Sequence, residues 1–343
     1  MIVFSAAPSC SCRFATVFSR GGTSLRQASA YLLMAVTLIL SASPVCGQDY
    51  PTRPVRVVTS SVGGGSDLVA RMIAQLLTGT LGQQVIVENR GETGAVPVQT
   101  VVKATPDGHT LLSYGNTVWL LPFMREKVPY DPVNDLSPVS LLARAPNVLI
   151  VHPSLPVKSV SDLVALAKAK PGVLNYGTSG TGNSPHLATE LLKVISGIDV
   201  VRINYRGNAR VATSMVAGEV HFAFAGIGSA LPHVKSGRVR AVAVTSLQPS
   251  VLAPDLPTVA STGVPGFEAE SLYPMFAPVK TPAHIIDRLS KDIASSLKTP
   301  EVRDRLFGAG LEGVGSSPEQ LATIMRAEML RWGKVIKAAG IRE

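Results

Sequence analysis

The stretch VRVVTSSVGGGSDLVARMIAQLL, residues 55–77, decides how the chain is read. Val55-Arg56-Val57-Val58 has the apolar, β-branched character of a strand. Leu68, Val69, Met72, Ile73, Leu76 and Leu77 then recur at helical spacing and give one apolar face. Between them lies Ser60-Ser61-Val62-Gly63-Gly64-Gly65-Ser66-Asp67, a glycine-rich strand-to-helix turn. Such a turn offers bare backbone N–H groups at a helix N-terminus, where the peptide dipoles favour an anion.

Three catalytic or nucleotide-binding loops share this form, and all three are excluded here. A P-loop needs Lys after its second glycine to reach the outer phosphates, and no Lys follows these glycines. The dinucleotide fingerprint fails because Leu68 stands where its last glycine belongs. A nucleophile elbow needs G-x-S-x-G, and Gly64-Gly65-Ser66-Asp67-Leu68 lacks the final glycine. What remains is an anion cradle, or a plain glycine turn with Ser66 as helix N-cap. Asp67 is placed to bond backbone N–H groups in the first helical turn rather than to act as a base.

The same grammar continues along the chain. Strands are expected at Gln84–Glu88, Thr110–Ser113, Asn147–Val151, Leu174–Gly177, Val200–Asn204, Val220–Phe224 and Val239–Val244. Helices are expected from Ser161 to Lys170, after Ser184-Pro185 with Ser184 as N-cap and Gly197 as stop, and from Ala209 to Val216. The C-terminal third reads as helical, with the capping box Ser317-Pro318-Glu319-Gln320 before Leu321–Val335. This β-α alternation predicts an α/β fold of mixed sheets flanked by helices. The length from residue 47 onward suggests two lobes, crossed near His152-Pro153 and Gly266-Phe267.

A second glycine loop, Gly177-Thr178-Ser179-Gly180-Thr181-Gly182-Asn183-Ser184, again follows a strand and precedes a helix. Asn183 replaces the P-loop Lys, so phosphate transfer is excluded, but small hydroxyl groups can still bond a carboxylate. Two such loops suggest a ligand held between two helix N-termini. Tyr205-Arg206-Gly207-Asn208 is a third turn of this kind. Arg206 could pair an anion, although a solvated surface arginine is the plainer reading. Of the six histidines none forms a zinc spacing, and His186, just inside the helix after the second loop, lies closest to the expected ligand. No metal, cofactor or Ser-His-Asp set can be assembled.

The N-terminus reads as a secretory signal. Residues 1–30 carry Arg13, Arg20 and Arg26 and no acid, and Tyr31–Leu40 is an apolar run too short to span a bilayer. Val45 and Gly47 form a small-residue pair, so residues 1–47 are the expected signal peptide, cleaved near Gly47. Cys10, Cys12 and Cys46 all fall in it. The mature chain then has no disulfide, no thiolate chemistry and no Cys metal site. The net charge of +9, or +6 without the three leader arginines, is scattered, which excludes nucleic-acid binding.

The residues also carry a family resemblance. Tyr50-Pro51-Thr52-Arg53-Pro54-Val55-Arg56, the glycine turn, Val87-Glu88-Asn89-Arg90, Pro106-Asp107-Gly108-His109-Thr110-Leu111-Leu112, Pro129-Tyr130-Asp131-Pro132, Ala253-Pro254-Asp255-Leu256-Pro257-Thr258-Val259 and Arg331-Trp332-Gly333-Lys334 occur in this order. Together they resemble the Bug (TctC) family of extracytoplasmic solute receptors of tripartite tricarboxylate transporters. The resemblance implies a two-lobed periplasmic binding protein of type II, a Venus flytrap. Its lobes would be 48–151 plus 268–343 and 152–267, with no catalysis. It implies a monomer in the periplasm that closes around a small carboxylate and delivers it to membrane permease subunits.

The ligand positions it implies are Ser60, Ser61, Gly64, Gly65, Ser66 and Asp67 in the first loop, and Asn116 and Thr117 in Tyr114-Gly115-Asn116-Thr117. Ser179, Gly180, Asn183, Ser184 and His186 follow in the second loop, then Tyr205 and Arg206, and Gly226. Two departures stand out. Thr59-Ser60-Ser61-Val62-Gly63-Gly64 replaces a family pattern resembling P-F-P-P-G-G, which makes the wall less stiff and more polar. Phe224-Ala225-Gly226 stands where many members have Phe-Asp-Asn, which removes a carboxylate partner for a ligand ammonium. A zwitterionic amino acid is therefore not the expected ligand. Two competitors are weighed against the transport receptor: a sensor signalling to a membrane kinase, and a hydrolase using Ser66 or Ser179.

Overall fold

A run of β-branched residues ending in glycine and followed by a periodic apolar stripe folds as a strand feeding a helix, and this chain repeats that unit. The computed structural model describes residues 50–342 apart from 61, 92, 93 and 206. The leader with its cysteines and the Gly47 cleavage point, together with Ser61 and Arg206, lie outside the described residues.

The first half of the chain builds β1 (Val55–Thr59), α1 (Gly65–Leu81), β2 (Val85–Asn89), α2 (Val96–Val102), β3 (Thr110–Ser113), α3 (Thr117–Met124) and β4 (Leu136–Val151). Next come α4 (Val160–Ala169), β5 (Asn175–Thr178), α5 (Ser184–Ser196), β6 (Val201–Asn204), α6 (Asn208–Ala217), β7 (Phe222–Gly226), α7 (Ile227–Lys235) and β8 (Arg240–Val244). The chain ends with β9 (Glu270–Pro278), α8 (Ala283–Ser296), α9 (Pro300–Gly308), β10 (Glu312–Gly313) and α10 (Pro318–Ala338).

These strands hydrogen-bond in the order β2-β1-β3-β9-β4-β7-β5-β6, with β8 and β10 paired to β4. β1 is parallel to β2 and β3, and β5 is parallel to β6 and β7. β4 and β9 run antiparallel between the two parallel sets. β4 belongs to both halves. Its residues 136–146 pair with β9, and residues 147–151 pair with β7 and β8. The C-terminal ends of β1, β3, β5 and β7 each lead into a turn and a helix, the place where open α/β sheets bind ligands.

Burial follows the sequence stripes. Val69, Met72, Ile73, Leu77 and Leu81 of α1 pack with Val57 and Leu111 in one apolar cluster. Each such side chain contributes roughly 1.5–3 kcal/mol when removed from water. A second cluster, holding Trp119, Tyr176, Phe222, Phe267 and Trp332, reaches from one half of the sheet to the other. A third, with Ile150, Val211, Met215 and Val244, fills the second half under α6 and α7.

Local readings are corrected in four places. Helix α1 is capped by Gly64 rather than Ser66, because Gly64 already has extended geometry and Gly65 starts the helix. Helix α5 is capped by Asn183 rather than Ser184. Asn183 has the extended backbone of a cap, Ser184 is already helical, and the Asn183 side chain reaches forward to accept the His186 N–H at 2.9 Å. The strand expected at Asn147–Val151 is only the end of β4. It continues back through Pro138 and Pro146, with register shifts that accommodate the irregular sequence. The C-terminal third is not wholly helical, since it contains β9, a largely buried strand that includes Pro274 and Pro278.

Candidate functional site

The turns at the strand ends converge on one cavity of about 640 Å³. Four helices present their N-termini to it: α1 through Gly64–Asp67, α3 through Asn116 and Thr117, α5 through Asn183–Pro185 and α7 through Gly226–Ser229. The first four N–H groups of a helix lack intrahelical acceptors, and the dipole adds partial positive charge there. The cavity is therefore lined by donors. Backbone of this kind takes a carboxylate without paying to order long side chains.

The charged side chains on its described wall are Asp67 and Arg71. Asp67 is buried and fully engaged. It accepts from the Gly63 N–H at 3.0 Å and from Asn89 Nδ2 at 2.8 Å, and pairs with Arg71 Nε at 3.0 Å. Burial pushes its carboxyl up, but hydrogen bonds from Arg71, Gly63 and Asn89 outweigh that and hold it below the usual range. Asp67 thus staples the glycine turn to α1. It leaves no free carboxylate on the described wall for a ligand cation.

Of the residues singled out from the sequence, Ser60, Gly64, Gly65, Ser66, Asp67, Asn116, Thr117, Ser179, Asn183, Ser184 and Gly226 line this cavity. Gly180, His186 and Tyr205 are not among its lining residues. His186 is only 2% exposed, and its Nδ1 accepts the Gly182 N–H at 3.1 Å. Burial first, and the Arg202 charge second, lower its pKa to about 4. The ring is neutral near pH 7 and braces the second loop from behind. Gly180 donates its N–H to Asn204 at 2.9 Å, and Tyr205 reaches Glu219 at 3.4 Å.

Asn147 was missed by the sequence reading. It is 1% exposed, sits where β4 changes partners, and lines the cavity. Its Nδ2 donates to Ser184 Oγ at 2.7 Å and to the Ala269 carbonyl at 3.1 Å, which fixes the start of α5 to the central strand. One signal existed: a polar residue at the head of the apolar run Asn147–Val151. Tyr273, Arg71 and the Ala309-Gly310 turn also line the cavity and carry no local motif.

An α/β sheet whose strand ends and four helix N-termini meet at one donor-lined cavity has the architecture of a solute-binding protein. The comparisons agree. The family described as the tripartite tricarboxylate transporter family receptor, TctC, matches residues 69–341, and the chain belongs to it. Its members are solute receptors, not enzymes. The chain is 34% identical over 311 residues to the UPF0065 protein in the tcbD-tcbE intergenic region of Pseudomonas sp. (strain P51), covering 89% of this chain and 93% of that protein. Rpa4515 of R. palustris, solved with adipate, superposes with a TM-score of 0.77 at 35% identity, covering 86% of this chain and 99% of that one. MatC (Rpa3494) from Rhodopseudomonas palustris, with bound malate, has a TM-score of 0.73 at 30% identity, covering 84% and 100%. The expected periplasmic binding protein fold is the observed one. Among the described residues no helix is long and apolar enough to cross a membrane.

Proposed function

We propose that this chain is an exported receptor for a small carboxylate, which it delivers to the permease of a tripartite tricarboxylate transporter. The observation that carries this reading is the convergence of four helix N-termini on one cavity whose single described acid, Asp67, is already paired. The residues placed to hold the ligand are Ser60, Gly64, Gly65 and Ser66 from α1, Asn116 and Thr117 from α3, Ser179, Asn183 and Ser184 from α5, and Gly226 from α7. Adipate and malate in the related structures fit this chemistry. Residues 1–47 would direct export. The two halves of the sheet, 48–151 plus 268–343 and 152–267, would act as lobes that close on the ligand as a monomer.

A thermal-shift screen of short carboxylates, sugars and metal cations tests this reading. A ligand that binds only the folded state raises the melting temperature, by an amount that grows with ligand concentration. Di- and tricarboxylates are expected to give the shift. A response to sugars or cations with none to carboxylates would remove the proposal. Calorimetry should also find glutamate and aspartate much weaker than the matching dicarboxylates, because no free acid awaits their ammonium.

A further inference from the structure

The cleft has a side recess. Between β4, β7, α6 and α7 lies a space of about 30 Å³ walled by Ile150, Val211, Met215, Phe224, Ala225 and Val239. Ser179, Pro185, Gly226 and Ser229 line both this space and the main cavity, so the two adjoin at the ends of β5 and β7. That volume holds about two water-sized groups, and apolar walls hydrate poorly.

Residues 225 and 226, Ala and Gly, line this space and leave it open. Gly226 is not required by its backbone. Its φ of −58° and ψ of 139° suit any residue, and a Cβ built there would meet nothing nearer than Ser229 Oγ at 3.9 Å. The small side chains leave space whose wall is mostly hydrocarbon, with Thr178, Ser179, Ser229 and His233 as its polar residues. We propose that the recess takes a short apolar branch, of one or two carbons, on the carbon next to the ligand's carboxylate. The inference rests on the carboxylate-receptor reading above. Ser179 belongs both to the α5 cradle and to the rim of the recess, so a carboxylate on that cradle brings its neighbouring carbon to the mouth.

Calorimetry of the purified full-length protein with succinate, 2-methylsuccinate, 2-ethylsuccinate and malate tests this. Burying one carbon is worth about fourfold in affinity. Methylsuccinate is therefore expected about fourfold tighter than succinate, ethylsuccinate tighter again, and malate below methylsuccinate. Ala225→Leu fills the recess and should bring the methyl preference to one or less. Ala212→Leu, which enters the same space from α6, serves if the first variant lacks a cooperative melt. Succinate binding with no methyl preference overturns the recess alone, as does a preference that survives filling. Malate binding tighter than methylsuccinate also overturns it, and points to a hydroxyl meeting His233 on the same wall. No binding by any carboxylate overturns the receptor reading and the recess with it.

Discussion

His186 carries a testable charge state. Its folded pKa of about 4 lies below the value near 6.5 expected in the unfolded chain. Between these values the unfolded state binds the proton more readily. The contribution of His186 to stability is therefore complete above pH 6.5, is lost as pH falls toward 4, and stays flat below that. The full loss is about 3 kcal/mol. Chemical denaturation at pH 7, 5.5 and 4 should show a steeper decline for the native protein than for His186→Asn, whose Oδ1 can still accept from the Gly182 N–H. Equal declines would mean that the folded ring is already charged. The sequence placed His186 just after the second loop, where it lies, but also nearest the ligand, whereas it is not on the cavity wall. It did not show that the ring braces the loop from behind, because that depends on burial by strands far along the chain. Asp67 was legible, since its partner, the Gly63 N–H, is four residues away.

Among the elements, α1 and its turn read directly from sequence because strand, glycines and apolar stripe are all local. β4 and β9 did not, because their prolines mask the strand pattern and their pairing joins residues more than a hundred positions apart. The consequence meets at Gly65. A Cβ there would fall against the Tyr273 hydroxyl and within 2.9 Å of its ring carbon Cζ, so β9 dictates that the first residue of α1 be glycine. Gly65→Ala should push the Tyr273 ring off its seat, or tilt the turn, and weaken ligand binding at least tenfold. Adding Tyr273→Leu, which removes the obstructing ring, should recover part of the loss. Unchanged affinity in Gly65→Ala would show that the turn has slack. An equal loss in the double variant would place the defect in the backbone of the turn itself.

On the scale of the whole molecule, the two halves of the sheet share β4 and also touch across the cleft. Gly228, in the first turn of α7, packs directly on Ala309 and Gly310 at the end of α9, and both segments line the cavity. A Cβ on Gly228 would lie 2.5 Å from the Ala309 carbonyl oxygen, and one on Gly310 would lie 2.5 Å from the Gly228 nitrogen. The contact is backbone against backbone, so no side-chain rotation relieves it. If closure brings these glycines together, Gly228→Ala holds the halves apart at a point that faces the ligand only through its backbone. Apparent affinity scales with the fraction of molecules able to close. A clash that costs closure about 2 kcal/mol should therefore weaken binding roughly thirtyfold. Opening the cleft relieves this clash without unfolding either half, so the melting temperature without ligand should move little. Small-angle scattering should then show the ligand-saturated variant more extended than the saturated native protein. A variant that binds normally and contracts normally would show that the halves close about some other contact, and that Gly228 and Gly310 merely pass each other.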